Sequence, residues 1–562
     1  MRAARLNPVL FLSLFAVPGA AGQGLSLFGP AEVNKPFTVT GEWGAILGEQ
    51  SGIFEAWSFP VKLLRDVRLE ARLDDYPIPI DVNAQAAHID TTPLATTITY
   101  AHAAFTIRQR MIAPRTGAFA PPLVFFEIDS IRPLTLTLRF TPEMQRMWPA
   151  PVFGRPNASW DDGLGFYILY TDNPGLAGAV WLPGAKPGIL PPYQERPKSY
   201  PAELLLRFDP RRDTGRRYPL VAVAGNSRED AIAKIRAADP EAAARETESY
   251  YRNLLGRLAA VETPDARFND AFQWAVASLD QMRVRHGSES GLAAGFYTSG
   301  DSARPGFGWF FGRDTLWSLY AIHAAGSFTA SREALDFLIR RQRADGKIMH
   351  EYSQSAPFVD WPSLPYFYAS ADATPLLPMA LDDYLRASGD LDFVRTNWNA
   401  ARKAYAFVRA HDSNGDGVYE NTEGHGWVES WPPKMPFQEM YLAALDQQMC
   451  LSMASLAAHL NDTAMERGAA ARADRIAKQI AAYRDPATGL YRFSRNRDGS
   501  YDATATIFPS VAWWTGRHPP EDGEATLRDW ASAAFSTDWG ARAVADRERI
   551  YDPISYHQGS VW

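Results

Sequence analysis

One change of hydrophobic period organises this chain. Up to about residue 225 apolar and polar residues alternate; beyond about 264 the apolar residues recur at helical spacing. Ala104-Phe-Thr-Ile-Arg-Gln-Arg-Met111 and Leu134-Thr-Leu-Thr-Leu-Arg-Phe140 carry the alternation, and Pro, Gly and Asp punctuate such runs at short intervals. Half-buried strands with frequent turns predict a β-sandwich domain over residues 24–225. Residues 226–263 are charged and helical in pattern, with Ser227 and Asp230 spaced as a capping pair, and read as a helical linker. Residues 264–562 then form the helical part. Candidate helices cover 265–284, 313–325, 330–343, 372–388, 391–410, 437–460, 463–482 and 524–534, with a further one around 540–548. Short loops between long helices imply antiparallel neighbours. Such hairpins in series can close into an α/α toroid with the long loops on one rim. The expected fold class is therefore multidomain β + α. A six-hairpin toroid needs twelve helices and these segments supply eight or nine, so the barrel is expected to be incomplete.

A chain of 562 residues exceeds one ordinary core, and its composition of 46% hydrophobic and 22% charged residues is globular. The net charge of −7 argues against nucleic acid, which needs a basic face. Aromatic residues make up 12%, with 17 tryptophans, which suits bulky cores or carbohydrate platforms equally. Residues 1–22 read as a signal peptide: Arg2 and Arg5, an apolar run from Val9 to Val17, then small residues at Gly19-Ala-Ala21. No later apolar run reaches transmembrane length, so the mature protein is expected to be periplasmic or secreted, without a membrane partner. Cys450 is the sole cysteine and lies in an apolar helical run, where a buried inert thiol is expected.

Chemistry concentrates in loops that are aromatic, Gly-rich and sparsely charged. In Trp427-Val-Glu429-Ser-Trp431 one carboxyl group stands between two indoles. Water excluded by the indoles would raise its pKa, and a Glu so placed can donate a proton to a glycosidic oxygen. Trp309-Phe-Phe-Gly-Arg313-Asp314 sets an Arg–Asp pair at a helix start, where Asp314 either meets sugar hydroxyls or only serves as a first-turn charge. Lys347-Ile-Met-His350-Glu351-Tyr352, the segment from Asp360-Trp361 to Asp372, Gln438-Glu439-Met-Tyr441 and Tyr551 to Trp562 share the same character. Asp372 also suits a helix N-cap. Asp412, Asn414, Asp416 and Glu423 match the spacing of a calcium loop. Gly424-His-Gly426 follows where an EF-hand would begin a helix, so a tight Asx/Gly turn is the other reading. No other cofactor is expected, because no Gly-rich phosphate loop follows a strand.

Together these segments resemble the amylo-α-1,6-glucosidase (glycogen-debranching enzyme C-terminal) family of six-hairpin glycosidases over roughly 265–562. The carrying residues are Phe311-Gly-Arg-Asp314-Thr, Asp345-Gly-Lys-Ile-Met-His-Glu-Tyr-Ser-Gln354, Ser370-Ala-Asp372-Ala-Thr-Pro375, Asp416-Gly417, Gly426-Trp-Val-Glu429, Gln438-Glu439, Phe535-Ser-Thr-Asp-Trp-Gly540 and Ser555-Tyr-His-Gln-Gly-Ser-Val-Trp562. The resemblance implies an N-terminal β-super-sandwich and an inverting hydrolase that releases a terminal glucosyl residue from an α-glucan or related α-glucoside, α-1,6 favoured. It implies Glu429 as general acid, with Arg313, Asp314, Asp372, Glu439, His557 and Gln558 as contacts to an oligo- or polysaccharide; Trp361 and Trp427, in the same rim segments, are further candidate contacts. The family's general base lies beyond the segment on which this chain ends, so the base is expected outside the sequence and the chain alone is expected to be nearly inactive. Two alternatives stay open: a phosphorolytic relative on the same barrel, for which Arg313 and Lys434 offer few phosphate-binding cations, and a non-catalytic carbohydrate-binding protein.

Overall fold

The computed structural model describes residues 24–115, 121–188, 201–421, 423–429, 431 and 434–548. The expected signal peptide, His557 and Gln558 lie outside these residues.

Strands from Leu27 to Gly225 form two large antiparallel sheets, one of nine strands and one of eight. The long strands Val61–Leu73 and Leu134–Arg146 pair at the centre of the eight-stranded sheet. Leu134, Leu136, Leu138 and Phe140 are buried, whereas the residues between them are half-buried or exposed, as period-two alternation requires. These side chains join Leu63, Leu69, Ile107, Phe126 and Leu220 in one core between the sheets.

Two helices follow, α1 (Arg228–Ala237) and α2 (Pro240–Arg257). Ser227 accepts from the Asp230 amide and Asp239 from the Ala242 amide, so side chains cap both N-termini. The helical part contains α3 (Ala266–Gln281), α4 (Gly312–Ala325), α5 (Phe328–Ile339), α6 (Ala373–Ser388), α7 (Leu391–Ala410), α8 (Met440–Leu460), α9 (Thr463–Ala481), and the short α10 (Val511–Trp514) and α11 (Glu524–Trp530). Helices α4, α6, α8 and α10 pack in series, with α5, α7 and α9 against their backs, in an α/α arrangement. Because α8 touches neighbours on every side, it is apolar nearly all round, and both Cys450 and the Asp446–Arg472 ion pair are buried along it. Burial pushes the Cys450 thiol up, consistent with an inert side chain.

Helical periodicity does not hold throughout. Arg283–His286, Glu289–Gly295, Phe307–Phe311 and Glu351–Tyr352 form a small antiparallel sheet, and 540–548 contains a short strand rather than a helix. The small sheet sits where the two parts meet. Lys62 of the sandwich, fully buried, donates to the carbonyls of Gly300 (2.6 Å) and Ser302 (3.0 Å), and Glu55 accepts from Ser299. The sandwich thereby fixes the loop that leads into Phe307–Phe311, which in turn leads into α4.

Candidate active site

Gly312 opens α4, and a Cβ there would strike the Met349 carbonyl, so only glycine lets the helix begin against the loop carrying His350. Its amide donates to the His350 carbonyl at 2.8 Å. Arg313 and Asp314 consequently stand in the first turn, at the mouth of the helical arrangement. The Arg313 guanidinium makes three contacts: Asp372 Oδ2 at 2.5 Å, the Gly426 carbonyl at 2.8 Å and Glu429 Oε1 at 3.5 Å. One cation therefore ties the start of α6 to the loop that holds Glu429. That loop lies alongside Ser370-Ala371: Ser370 and His425 form a parallel bridge and the Ala371 amide donates to the His425 carbonyl. Gly424 adopts φ +130°, and a Cβ on it would press on the Ala369 carbonyl.

Glu429 stands between Arg313 and His350, whose Nε2 lies 3.6 Å from Glu429 Oε1, and its side chain is 55% exposed. His350 and Arg313 together hold its carboxyl down at about 2, against burial that would raise it. This corrects the expectation of a carboxyl group desolvated by two indoles. Trp431 instead donates to Asp502 at 2.9 Å and packs on Phe493 and Phe508, while Trp427 packs on Phe508 and Tyr441. Asp314 lines a cavity of about 680 Å³ whose wall continues through Trp427, Tyr441, Trp317, Trp513 and Trp514. Burial raises its carboxyl, opposed by Arg313.

Three expected sugar contacts are internal. Asp372 is fully buried and accepts from Arg313, Tyr441 (3.0 Å) and Ser370, so it neither faces a ligand nor caps α6 with its side chain. Ser370 Oγ accepts from the Ala373 amide in its place. Glu439 is likewise fully buried; Asn421 donates to one oxygen at 2.8 Å, and the other finds no protein partner among the described residues. Burial pushes its carboxyl up to about 8, so it is neutral at pH 7. Trp361 is 2% exposed, packed edge-on against Trp148, Tyr352 and Phe367. The four positions of calcium-loop spacing do not converge either. Asp412 accepts from the Gly417 amide and Asn414 donates to Asp416, whose carboxylate also meets Arg495, while Glu423 turns away to Arg343. Among the described residues no group of three or more His, Cys, Asp or Glu could hold a metal ion. The segment is the tight Asx/Gly turn.

His350 and Tyr441 also belong to the candidate site, and the sequence offered them only as members of rim segments. Nothing local distinguishes them, since their partners Glu429 and Asp372 are remote in the chain. Glu351, next to His350, is buried and accepts from Trp309 Nε1 at 2.7 Å, with its carboxyl raised by burial.

No family model matches the chain, and no curated protein matches it. Among solved structures, a bacterial glucoamylase complexed with acarbose is similar over 85% of this chain and 72% of its own, with a TM-score of 0.58 and 12% identity. A putative kojibiose phosphorylase from human microbiome is similar over 84% of this chain, which spans 65% of that protein, with a TM-score of 0.47 and 10% identity. The fold is that of the glucoamylase-like proteins, a β-sheet domain followed by an α/α toroid.

Proposed function

We propose that the chain acts on α-glucosides as an exported inverting glycosidase, with α-1,6-linked substrates favoured. The observation that carries this reading is the Arg313–Asp372–Glu429 assembly at the head of α4, next to an aromatic cavity large enough for sugar rings. Asp314 and Arg313 hold hydroxyls of the terminal sugar. Glu429 gives its proton to the departing glycosidic oxygen. It is ionised in the unliganded chain, so it takes up that proton when bound sugar excludes water and separates it from His350. A carboxylate base would activate water on the opposite face. Glu351 and Glu439 are buried and engaged on Trp309 and Asn421, so neither is assigned that role.

A small anion can stand in for activated water. The test follows α-glucosyl fluoride and sodium azide by proton NMR with the purified chain. Azide forms the new bond to the anomeric carbon as fluoride leaves, and the expected product is β-glucosyl azide, lost in Asp314→Asn. An α-azide product, or a rate unchanged by Asp314→Asn, contradicts the reading. Inorganic phosphate in place of azide, giving β-glucose 1-phosphate at a rate far above that with azide, would favour the phosphorolytic alternative.

A further inference from the structure

Glu429 separates two unlike walls. On one side Arg313 and Asp314 lead into the cavity; on the other His350 leads away through rings. His350 meets Phe311 edge-on at 5.8 Å, and Phe311 meets Phe307 at 5.9 Å. Phe307 lies 6.2 Å from Trp309, Trp309 lies 5.1 Å from Trp148, and Trp148 lies 5.1 Å from Tyr366. This row begins beside the candidate acid, passes through Trp148 of the sandwich and ends on Tyr366 of the helical part.

Its exposure is uneven in an informative way. Trp309 is fully buried and Trp148 half-buried, with Ser353 Oγ donating to the Trp148 carbonyl at 2.5 Å and the Trp148 amide donating to Ala303. These two rings lock the sandwich to the helical part. Phe307, however, is 48% exposed and Tyr366 37% exposed, and the exposed Arg304 places its guanidinium 4.8 Å from the Trp148 ring centre. Core packing explains buried rings. It does not explain two open ones beside a polar site, backed by a rigid aromatic layer, with a hydrogen-bond donor at the edge.

We propose that Phe307, Tyr366 and Arg304 form a platform for the leaving-group side of an oligosaccharide, so that the chain selects extended glucans over disaccharides. Apolar C–H faces of successive sugars rest on the two rings, and Arg304 donates to a hydroxyl. Pinning by Trp148 keeps the platform ordered before binding, which lowers the entropic cost of engaging it. The inference rests on the glycosidase reading for its ligand class and for its sense of direction, and it extends that reading to chain length.

The test is calorimetric titration of the purified full chain with isomaltose through isomaltoheptaose, and with maltose through maltoheptaose. Affinity is expected to rise by about tenfold from disaccharide to heptasaccharide in at least one series. Phe307→Ala/Tyr366→Ala is expected to abolish that rise while leaving disaccharide affinity and melting temperature unchanged. If the double variant melts early, Tyr366→Ala alone decides, and is expected to lose about half the rise on a logarithmic scale. A rise that survives these substitutions, or no rise in the unaltered chain, overturns the platform. Turnover of α-glucosyl fluoride with azide present separates the two ideas. A length-dependent, Tyr366-dependent rise in a chain that shows no such turnover sustains the platform and rejects the hydrolase; such turnover without the rise does the reverse.

Discussion

Glu439 and Asp372 are both fully buried, yet they are held differently. Asp372 lies on the Arg313 guanidinium, whereas among the described residues Glu439 meets only the amide of Asn421 and keeps one oxygen without a protein partner. The folded chain therefore retains on Glu439, up to about pH 8, a proton that the unfolded chain releases near 4.5. Its folded pKa is raised, so stability falls as pH rises through that window, by up to about 1.4 kcal/mol per unit. Glu439→Gln, neutral at every pH, should remove this part of the slope. Urea unfolding at pH 5, 6.5 and 8 measures it, and an unchanged slope would place the proton elsewhere. Sequence adjacency misled at this scale. Two tryptophans flank Glu429 in the chain, but its electrostatics come from Arg313, 116 residues away, and from His350. Tertiary contacts of that kind leave no local mark.

Among elements, the loop 423–429 controls the site because it has no room to be anything else. Gly424 combines a positive φ with backbone of residues 369 and 370 against the position of a Cβ. Gly424→Ala should shift the loop, break the Arg313–Gly426 contact and lower stability by about 1–3 kcal/mol. Saccharide affinity should fall with it. A variant of unchanged melting temperature and affinity would show that the loop yields freely. The longer helices and the sandwich were legible because their apolar periods extend over many residues, as in the alternation of Leu134 to Phe140. The small sheet around Phe307–Phe311 was not, because its strands are short and enclosed by helices, and Val511–Trp514 is a single turn too brief to show a period. Arg313 and Asp314 were legible as a pair at a helix start. That Asp372 and Glu439 face inward was not, since a carboxylate at a helix start reads identically whether it meets solvent or a guanidinium.

At the scale of the whole molecule, the sandwich braces segments that lead into the site rather than hanging as an appendage. Lys62, Glu55 and Trp148 all engage residues 299–304 or 353, directly upstream or downstream of the candidate acid's surroundings. The opposite flank is open and apolar among the described residues: Trp514 is 51% exposed and Leu527 44% exposed, beside Trp513 and Trp530. An exposed patch of that character should bind a hydrophobic reporter dye. Trp514→Ser/Leu527→Ser should reduce dye fluorescence several-fold without lowering the melting temperature, and undiminished fluorescence would mean the patch is covered.

The proposed reaction turns on proton transfer from Glu429 to the departing sugar oxygen. Its most direct measurement compares kcat/KM of the unaltered chain and Glu429→Gln, both with azide present, on isomaltose and on α-glucosyl fluoride. Fluoride departs without a proton donor, so the account predicts a loss of at least about a hundredfold on isomaltose and little change on the fluoride. Equal losses on both substrates, or no loss on either, would contradict it.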